Sequence, residues 1–214
     1  MTELRICTWN IHKGFSQFNR RMVIHELRER LHAFGADLVF LQEVQGQHHG
    51  HHGNAILSRH PISQSGNVDV SAHRFEQRGL LHCVIEPDGA HRVHALCVHL
   101  GLTARGRRQQ YAMLAEHIRR TIPADDGLIV AGDFNDWHNR AEEQWSRALG
   151  LHEAHSVIHG RPARSFPAAF PLLRLDRIYV RGVEVGEVKL HSGPPWSRVS
   201  DHAALTARLL LPAR

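Results

Sequence analysis

Leu128-Ile129-Val130-Ala131-Gly132-Asp133-Phe134-Asn135-Asp136 is the stretch whose reading decides the fold. Its four leading residues are apolar without a break, which reads as a buried strand over 128–131. The strand delivers Gly-Asp-Phe-Asn-Asp at the point where it meets a loop, and rigid scaffolds usually present their sites there. A second segment, Ser200-Asp201-His202, stands just before the last apolar run, over 203–211. Carboxylates hold divalent cations, an amide fixes a phosphate or a water, and an imidazole moves a proton. These are the parts that metal-assisted phosphoester hydrolysis requires. Asn10, Glu43, His99 and Asp176 complete the set, each at the end of an apolar run or beside one.

Outward from that core the chain keeps the same pattern. Residues 4–9 read as a strand. Asn19 reads as a helix cap, and Val23, Ile24, Leu27, Leu31 and Phe34 share one face of the helix that follows, with Gly35 as its stop. Residues 37–41 form a short strand ending in Gln42-Glu43. A histidine-rich loop (His48, His49, His51, His52) leads to a strand over 54–57. Gly50 and Gly53 break any rigid ligand spacing there, so a surface loop is the reading preferred to a metal site. Residues 80–86 and 92–99 read as antiparallel partners around the Pro87-Asp88-Gly89 turn. Thr103 caps a second helix whose buried face carries Tyr111, Leu114, Ile118 and Ile122, and Pro123 ends it. A short helix over 142–149, a surface loop over 160–174, and strands over 176–180 and 183–190 follow. Many strands with two long helices imply packed sheets covered by helices.

Size and composition narrow the classes. A chain of 214 residues suits one domain, and 42% hydrophobic with 22% charged residues is ordinary for a globular protein. No apolar run approaches the roughly 20 residues that span a bilayer. The opening Met-Thr-Glu-Leu-Arg-Ile-Cys has no secretory pattern, so a cytoplasmic location is expected. Cys7, Cys83 and Cys97 lie in apolar runs without a Cys-x-x-Cys, which reads as three buried free thiols in a reducing compartment. The net charge of +5 favours polyanionic partners: nucleic acid, acidic lipid surfaces or phosphorylated small molecules.

Seven segments carry a resemblance. They are Thr8-Trp9-Asn10-Ile11-His12, Leu41-Gln42-Glu43-Val44, Gly53-Asn54-Ala55-Ile56-Leu57-Ser58-Arg59, Val98-His99-Leu100, Gly132-Asp133-Phe134-Asn135, Leu175-Asp176-Arg177-Ile178-Tyr179-Val180 and Ser200-Asp201-His202. In this order they resemble the endonuclease/exonuclease/phosphatase (DNase I-like) superfamily. The compact length and His99-Leu100-Gly101-Leu102 look like its short bacterial-type members. The resemblance implies an α/β (α+β) fold over residues 1–214: a two-sheet β-sandwich flanked by helices, the four-layer DNase I-like arrangement.

It also implies roles. Glu43, Asn10 and Asp201 would hold Mg²⁺ or Mn²⁺, since oxygen ligands suit hard cations. Asp133 would orient or deprotonate the attacking water, and Asn135 would hold that water or a phosphate oxygen. Asp176 would pair with His202 and raise its basicity, and His99 would donate to the scissile phosphate. An acidic limb in the pH profile is expected from the Asp176–His202 pair. Arg78, Arg105 and Trp196 are the expected substrate contacts. For Arg105, with Arg107 and Arg108, a solvated first helical turn is the alternative. For Trp196 the alternative is plain packing.

The implied activity is a divalent-metal-dependent phosphoester hydrolase, first a phosphodiesterase or nuclease in which a metal-assisted water attacks phosphorus. The alternatives are a phospholipid or small-molecule phosphodiesterase or phosphatase of the same fold, and a catalytically silent binding module. A monomer without a transmembrane segment is expected, acting on a phosphoester in nucleic acid or in a phospholipid headgroup.

Overall fold

The computed structural model describes residues 2–14, 24–45, 52–72, 76–138 and 146–213. The expected cap Asn19, Val23, the histidines His48, His49 and His51, and residues 142–145 lie outside that set.

Two sheets carry the chain. One has five strands in the order β10 (Glu184–His191), β11 (Ala204–Leu211), β1 (Thr2–Asn10), β2 (Leu38–Gln45), β3 (His52–Ser58). The other has six, in the order β4 (Ile62–Asp69), β5 (Gly79–Ile85), β6 (Val93–His99), β7 (Gly127–Asp133), β9 (Asp176–Arg181), β8 (His152–Glu153). The central strands are mostly apolar on both faces, β1 from Ile6 onward, because both faces are covered there. On β1, Leu4 and Ile6 enter the core between the sheets, with Phe40 of β2, Cys97 of β6 and Ile129 and Ala131 of β7. The opposite face of the same sheet, Cys7, Trp9, Val39 and Leu41, packs on Leu27 of α1 (Ile24–Ala33). The outer face of the six-stranded sheet, with Leu96, Val98, Leu128 and Val130, packs on Tyr111, Leu114 and Ile118 of α2 (Ala104–Thr121). Helix, sheet, sheet, helix is the four-layer sandwich that the motifs implied. The Thr103 hydroxyl caps α2 by accepting from the Gly106 N–H at 3.1 Å. Cys7, Cys83 and Cys97 are all buried and free.

Three features depart from the reading of the sequence. β4 is an exposed edge strand of mostly polar residues, held by its ladder to β5 and not by a buried face. A short helix, α3 (Ala154–His159), follows β8, its first turn capped by the Glu153 carboxylate. The segment 160–174 is not only a surface loop: Pro162, Ala163, Ser165 and Ala168 are buried in it.

The strand directions position the site. β1, β2, β6 and β7 end at the same edge of the sandwich, since β1 runs parallel to β2 and β6 parallel to β7. β9 and β11 run antiparallel to β7 and β1, so their beginnings lie at that edge too. Residues nearly two hundred positions apart thereby share one rim.

Candidate active site

Each site residue is aimed by local backbone. Asn10 closes β1. Glu43 sits in a bulge of β2, where the register to β3 shifts between Leu41 and Val44, and it adopts φ 57°. A β-bulge re-aims a side chain that regular pleating would direct elsewhere. Asp133 closes β7 directly opposite Asp176, the first residue of β9. Asn135 takes φ 49°, and its backbone N–H donates to Asp133 Oδ1 at 2.9 Å. Gly132 permits the approach of β7 to β6: at φ 148°, a Cβ there would lie 1.9 Å from the Val98 carbonyl oxygen. The Ser200 hydroxyl donates to the Asn10 carbonyl at 2.7 Å and accepts from the His202 N–H at 3.1 Å, locking the 200–202 turn to the end of β1. The Trp9 indole donates to the His202 carbonyl at 2.9 Å.

Asp133 is the hub. Its Oδ2 accepts from Asn10 Nδ2 at 3.1 Å, and it lies 3.6 Å from His99 Nε2 and 3.8 Å from His202 Nε2. The same Asn10 amide donates to Glu43 at 3.2 Å. Asp176 Oδ2 meets His202 Nδ1 at 2.8 Å, with both side chains buried. His12, which the sequence did not single out for a role, stands between two acids: its Nδ1 is 3.5 Å from Asp201 and 3.9 Å from Glu43. Asn10, Glu43, His99, Asp133, Asp176, Asp201 and His202 thus converge. Asn135 joins them through its backbone, while its side-chain amide donates to the Leu100 carbonyl at 2.9 Å.

The electrostatics divide the two imidazoles. Burial depresses His99, and the cations of Arg78 and His202 add to that against the pull of Asp133 and Glu43, so it is neutral near pH 7. Burial would depress His202 as well, but Asp176, Asp133 and Asp201 overcome it and carry its pKa up to about 10. Burial works to raise Asp133, yet His202, His99, the Asn135 N–H and the Asn10 amide hold it below the usual carboxylate range. A charged carboxylate therefore lies between a neutral and a protonated imidazole. Environments that push neighbouring groups apart in this way assign acid and base roles.

The expected substrate contacts are less uniform. Arg78 reaches the rim, since its charge acts on His99, and its guanidinium is paired with Glu76 at 3.0 Å. Arg105 is exposed on the first turn of α2, and among the described residues no hydrogen bond or ion pair links it to the cluster. Trp196 takes the packing role. It stacks on Phe34 (5.0 Å, 13°), meets Trp9 edge-on, and has the Arg30 guanidinium 5.2 Å from its ring centre. Arg107 is buried, donating to the Gly101 and Leu102 carbonyls at 3.1 and 2.6 Å, so it braces the loop after β6. Sequence reasoning passed over Ser165, whose hydroxyl accepts from the Asp176 N–H at 3.0 Å, and Phe166, whose ring lies 5.0 Å from that of His202. Their Pro- and Arg-rich surroundings hid them.

The donor set fits a hard divalent cation. Glu43 and Asp201 are partly exposed carboxylates flanking one imidazole, and the Asn10 amide nitrogen occupies the gap between Glu43 and Asp133 where like charges call for a counter-charge. Deeper in, Asp133, Asp176 and His202 offer ligand atoms all within 4.8 Å of one another.

The model of the Endonuclease/Exonuclease/phosphatase family matches residues 7–202. The chain belongs to that family. It is 40% identical to "Uncharacterized protein YbhP" of Escherichia coli (strain K12), over 97% of this chain and 96% of that protein. Among solved structures it resembles TDP2 of D. rerio complexed with single-strand DNA product (TM-score 0.79, 20% identity, 98% of this chain and 99% of that one). It also resembles a mannosyl-6-phosphatase of Bacteroides thetaiotaomicron VPI-5482 (TM-score 0.78, 13% identity, 97% and 100%). At these identities the two structures attest the family's fold.

Proposed function

We propose that this family member is a divalent-metal-dependent phosphodiesterase in which water attacks phosphorus at the Asp133 rim. The observation that carries the reading is the threefold contact of Asp133 with Asn10, His99 and His202, at 3.1 to 3.8 Å, beside the Asp176–His202 bond. Glu43, Asp201 and Asn10 would hold Mg²⁺ or Mn²⁺. When bound, that ion supplies charge neutralisation at a phosphoryl oxygen.

The chain's own residues supply the rest. Asp133, ionised and aimed by the Asn135 N–H and the Asn10 amide, orients the attacking water and takes its proton. His202, kept protonated by Asp176, places positive charge against the phosphoryl oxygens as negative charge builds on them. His99, neutral, donates one N–H to the same group. Holding these groups in place before the substrate arrives removes much of the entropic barrier to in-line attack. The net charge of +5 suits a diester carried by a polyanion or an anionic surface. Proteins of the same fold include a mannosyl-6-phosphatase and TDP2, the latter solved with single-strand DNA product.

The test is hydrolysis of bis(p-nitrophenyl) phosphate with Mn²⁺ or Mg²⁺. Turnover is expected, abolished by EDTA and by Asp133→Ala with the thermal melt retained. Turnover that survives EDTA, or survives Asp133→Ala, overturns the reading, as does hydrolysis confined to monoesters. A metal-loaded protein inert toward every phosphoester would instead be the silent binding module.

A further inference from the structure

Three loops leave the catalytic edge, and each ends in large apolar side chains turned to solvent. After β6 comes Leu102, 61% exposed; after β7 comes Trp137, 38%; before β9 comes a tight turn with Phe170 at 72%, Leu172 at 53% and Leu173 at 40%. Of the eleven large apolar side chains exposed among the described residues, these five lie on segments that leave β6 and β7 or lead into β9 at the catalytic edge. Exposed apolar side chains grouped at one edge mark an interaction face.

The rim is held in place. The 166–173 turn closes on itself: the Phe166 carbonyl accepts from the Leu172 and Leu173 N–H groups at 2.8 and 2.7 Å, and the Pro167 carbonyl accepts from Phe170 N–H at 3.1 Å. Its base is tied to the site by Ala168 N–H donating to the Asp201 carbonyl at 2.6 Å and by the Phe166 ring on His202. Leu102 and Trp137 are joined through Arg107, which holds the Leu102 carbonyl and lies 5.1 Å from the Trp137 ring centre. Exposed arginines accompany the apolar tips on the same segments: Arg105, Arg108 and Arg164.

We propose that this rim docks on an anionic phospholipid bilayer, so that the scissile diester is a lipid headgroup at the membrane surface. The proposal rests on the diester reading above. Side-chain chemistry decides between the two polyanionic surfaces. A polynucleotide is gripped by basic grooves and by aromatic faces on which bases stack. Three of the five rim residues are leucines, which offer a base no π-face, and Trp137 already has the Arg107 guanidinium over its ring. Leucine and phenylalanine tips suit the acyl boundary, tryptophan suits the headgroup level, and arginines meet anionic phosphates. The net charge of +5 is complementary to such a surface. No helix among the described residues is long and apolar enough to cross a membrane, so the contact proposed is interfacial.

The experiment is co-sedimentation of the full chain, in EDTA, with phosphatidylcholine vesicles containing or lacking phosphatidylglycerol. Binding to the phosphatidylglycerol vesicles is expected. F170S/L172S is expected to weaken it by at least about tenfold, since burying one such side chain is alone worth about that factor or more. Arg164→Glu should weaken binding to anionic vesicles and leave the weak binding to neutral ones unchanged. With metal, F170S/L172S should keep wild-type turnover of bis(p-nitrophenyl) phosphate and lose turnover of vesicle phospholipid. Failure of the wild type to sediment overturns the proposal, and so does wild-type sedimentation by F170S/L172S. A loss by that variant of affinity for single-stranded oligonucleotide, in place of vesicles, overturns it in favour of a nucleic-acid face. Vesicle binding without hydrolysis of any diester would leave the docking surface standing and remove the catalytic reading.

Discussion

Asp176→Asn is the substitution that probes the site most sharply. The 2.8 Å bond from His202 Nδ1 to Asp176 Oδ2 is buried, and Asp176 heads the acids that raise the His202 pKa from 6.5 to about 10. A rise of about 3.5 units corresponds to about 5 kcal/mol favouring the protonated ring, at 1.36 kcal/mol per unit. Asp133 and Asp201 share in it. If Asp176 supplies half, its loss brings the His202 pKa down by about two units, so the ring keeps its charge at neutral pH and loses it from mildly alkaline pH upward; at about pH 9 kcat should fall by about fivefold or more relative to wild type. The amide keeps the shape of the side chain, so KM for a soluble diester should stay within about threefold. The pH profile separates electrostatics from structure. A raised His202 sets an alkaline limb, with activity lost as pH climbs through its pKa. The acidic limb expected of the Asp176–His202 pair falls instead to Asp133, the group that takes the water's proton, whose pKa is held below the usual carboxylate range. Asp176→Asn should move the alkaline limb to lower pH by more than one unit. The assay is Mn²⁺-dependent release of p-nitrophenolate across pH, with a thermal melt as control, because breaking a buried ion pair also costs stability. A kcat at about pH 9 within about threefold of wild type, or a uniform loss with an unmoved alkaline limb, would refute the role given to the pair.

Glu43→Ala should raise the Mn²⁺ concentration for half-maximal activity by at least about tenfold, with excess metal restoring part of the rate; a calorimetric titration showing unchanged affinity would remove Glu43 from the ligand set. Gly132→Ala should give insoluble protein or a loss of about 3 kcal/mol or more in urea unfolding, because its Cβ would lie 1.9 Å from the Val98 carbonyl oxygen. A soluble Gly132→Ala protein of wild-type stability would contradict that geometry. Away from the site, His117, His82, His94 and Asp126 form a hydrogen-bonded row at 3.0, 2.9 and 3.2 Å. Burial, with His94 and His117 beside it, lowers His82 to about 4. A histidine lowered in the folded state makes stability full above its unfolded pKa of about 6.5 and lost as pH falls toward 4. After discounting for solvent, the loss should be about 1–2 kcal/mol. Denaturant midpoints equal at pH 7 and pH 4.5, or a replacement His82→Gln that leaves the pH dependence unchanged, would count against the row.

How much of this was legible follows from how the strands are built. β2, β6, β7 and β9 are buried along most of their length and β1 from Ile6 onward, so each is a mostly apolar run, and the polar residue at its catalytic end stands out against hydrocarbon. Asn10, Glu43, His99, Asp133 and Asp176 were visible for that reason. β4 was not, because its sequence, ISQSGNVD, has neither apolar alternation nor a buried face; only the ladder from β5 makes it a strand. Arg107 reads as a solvated first-turn residue until two carbonyls and Trp137 are placed round it. Trp196 in a proline-rich loop reads equally as a platform or as filler, and the choice is made by Phe34, some 160 positions earlier. Asn54 binds the Gly79 and Cys97 carbonyls at 2.8 and 3.1 Å, joining the two sheets near the rim, which no local pattern announces.

The backbone adds an argument that side-chain identity does not. Among the described residues the non-glycine positions with positive φ are His12, Lys13, Glu43 and Asn135, and all four lie at or just beyond the catalytic ends of β1, β2 and β7. A residue in the left-handed region costs on the order of 1–3 kcal/mol and persists only where its surroundings over-determine it. Here they do. The His12 N–H donates to Asn10 Oδ1 at 3.1 Å, the Asn135 N–H to Asp133 Oδ1 at 2.9 Å, and Glu43 is fixed by a bulge between two paired stretches of β2. The bonds that hold the strained backbone are made by Asn10 and Asp133, which also converge on the reacting centre. On the proposed function the site is therefore organised before substrate arrives, its acids and imidazoles already held as in-line attack on a phosphoryl group requires. Such a rim would gain specificity from what approaches it, which assigns the choice of phosphoester, in that reading, to the surrounding loops with their leucines, phenylalanine and arginines.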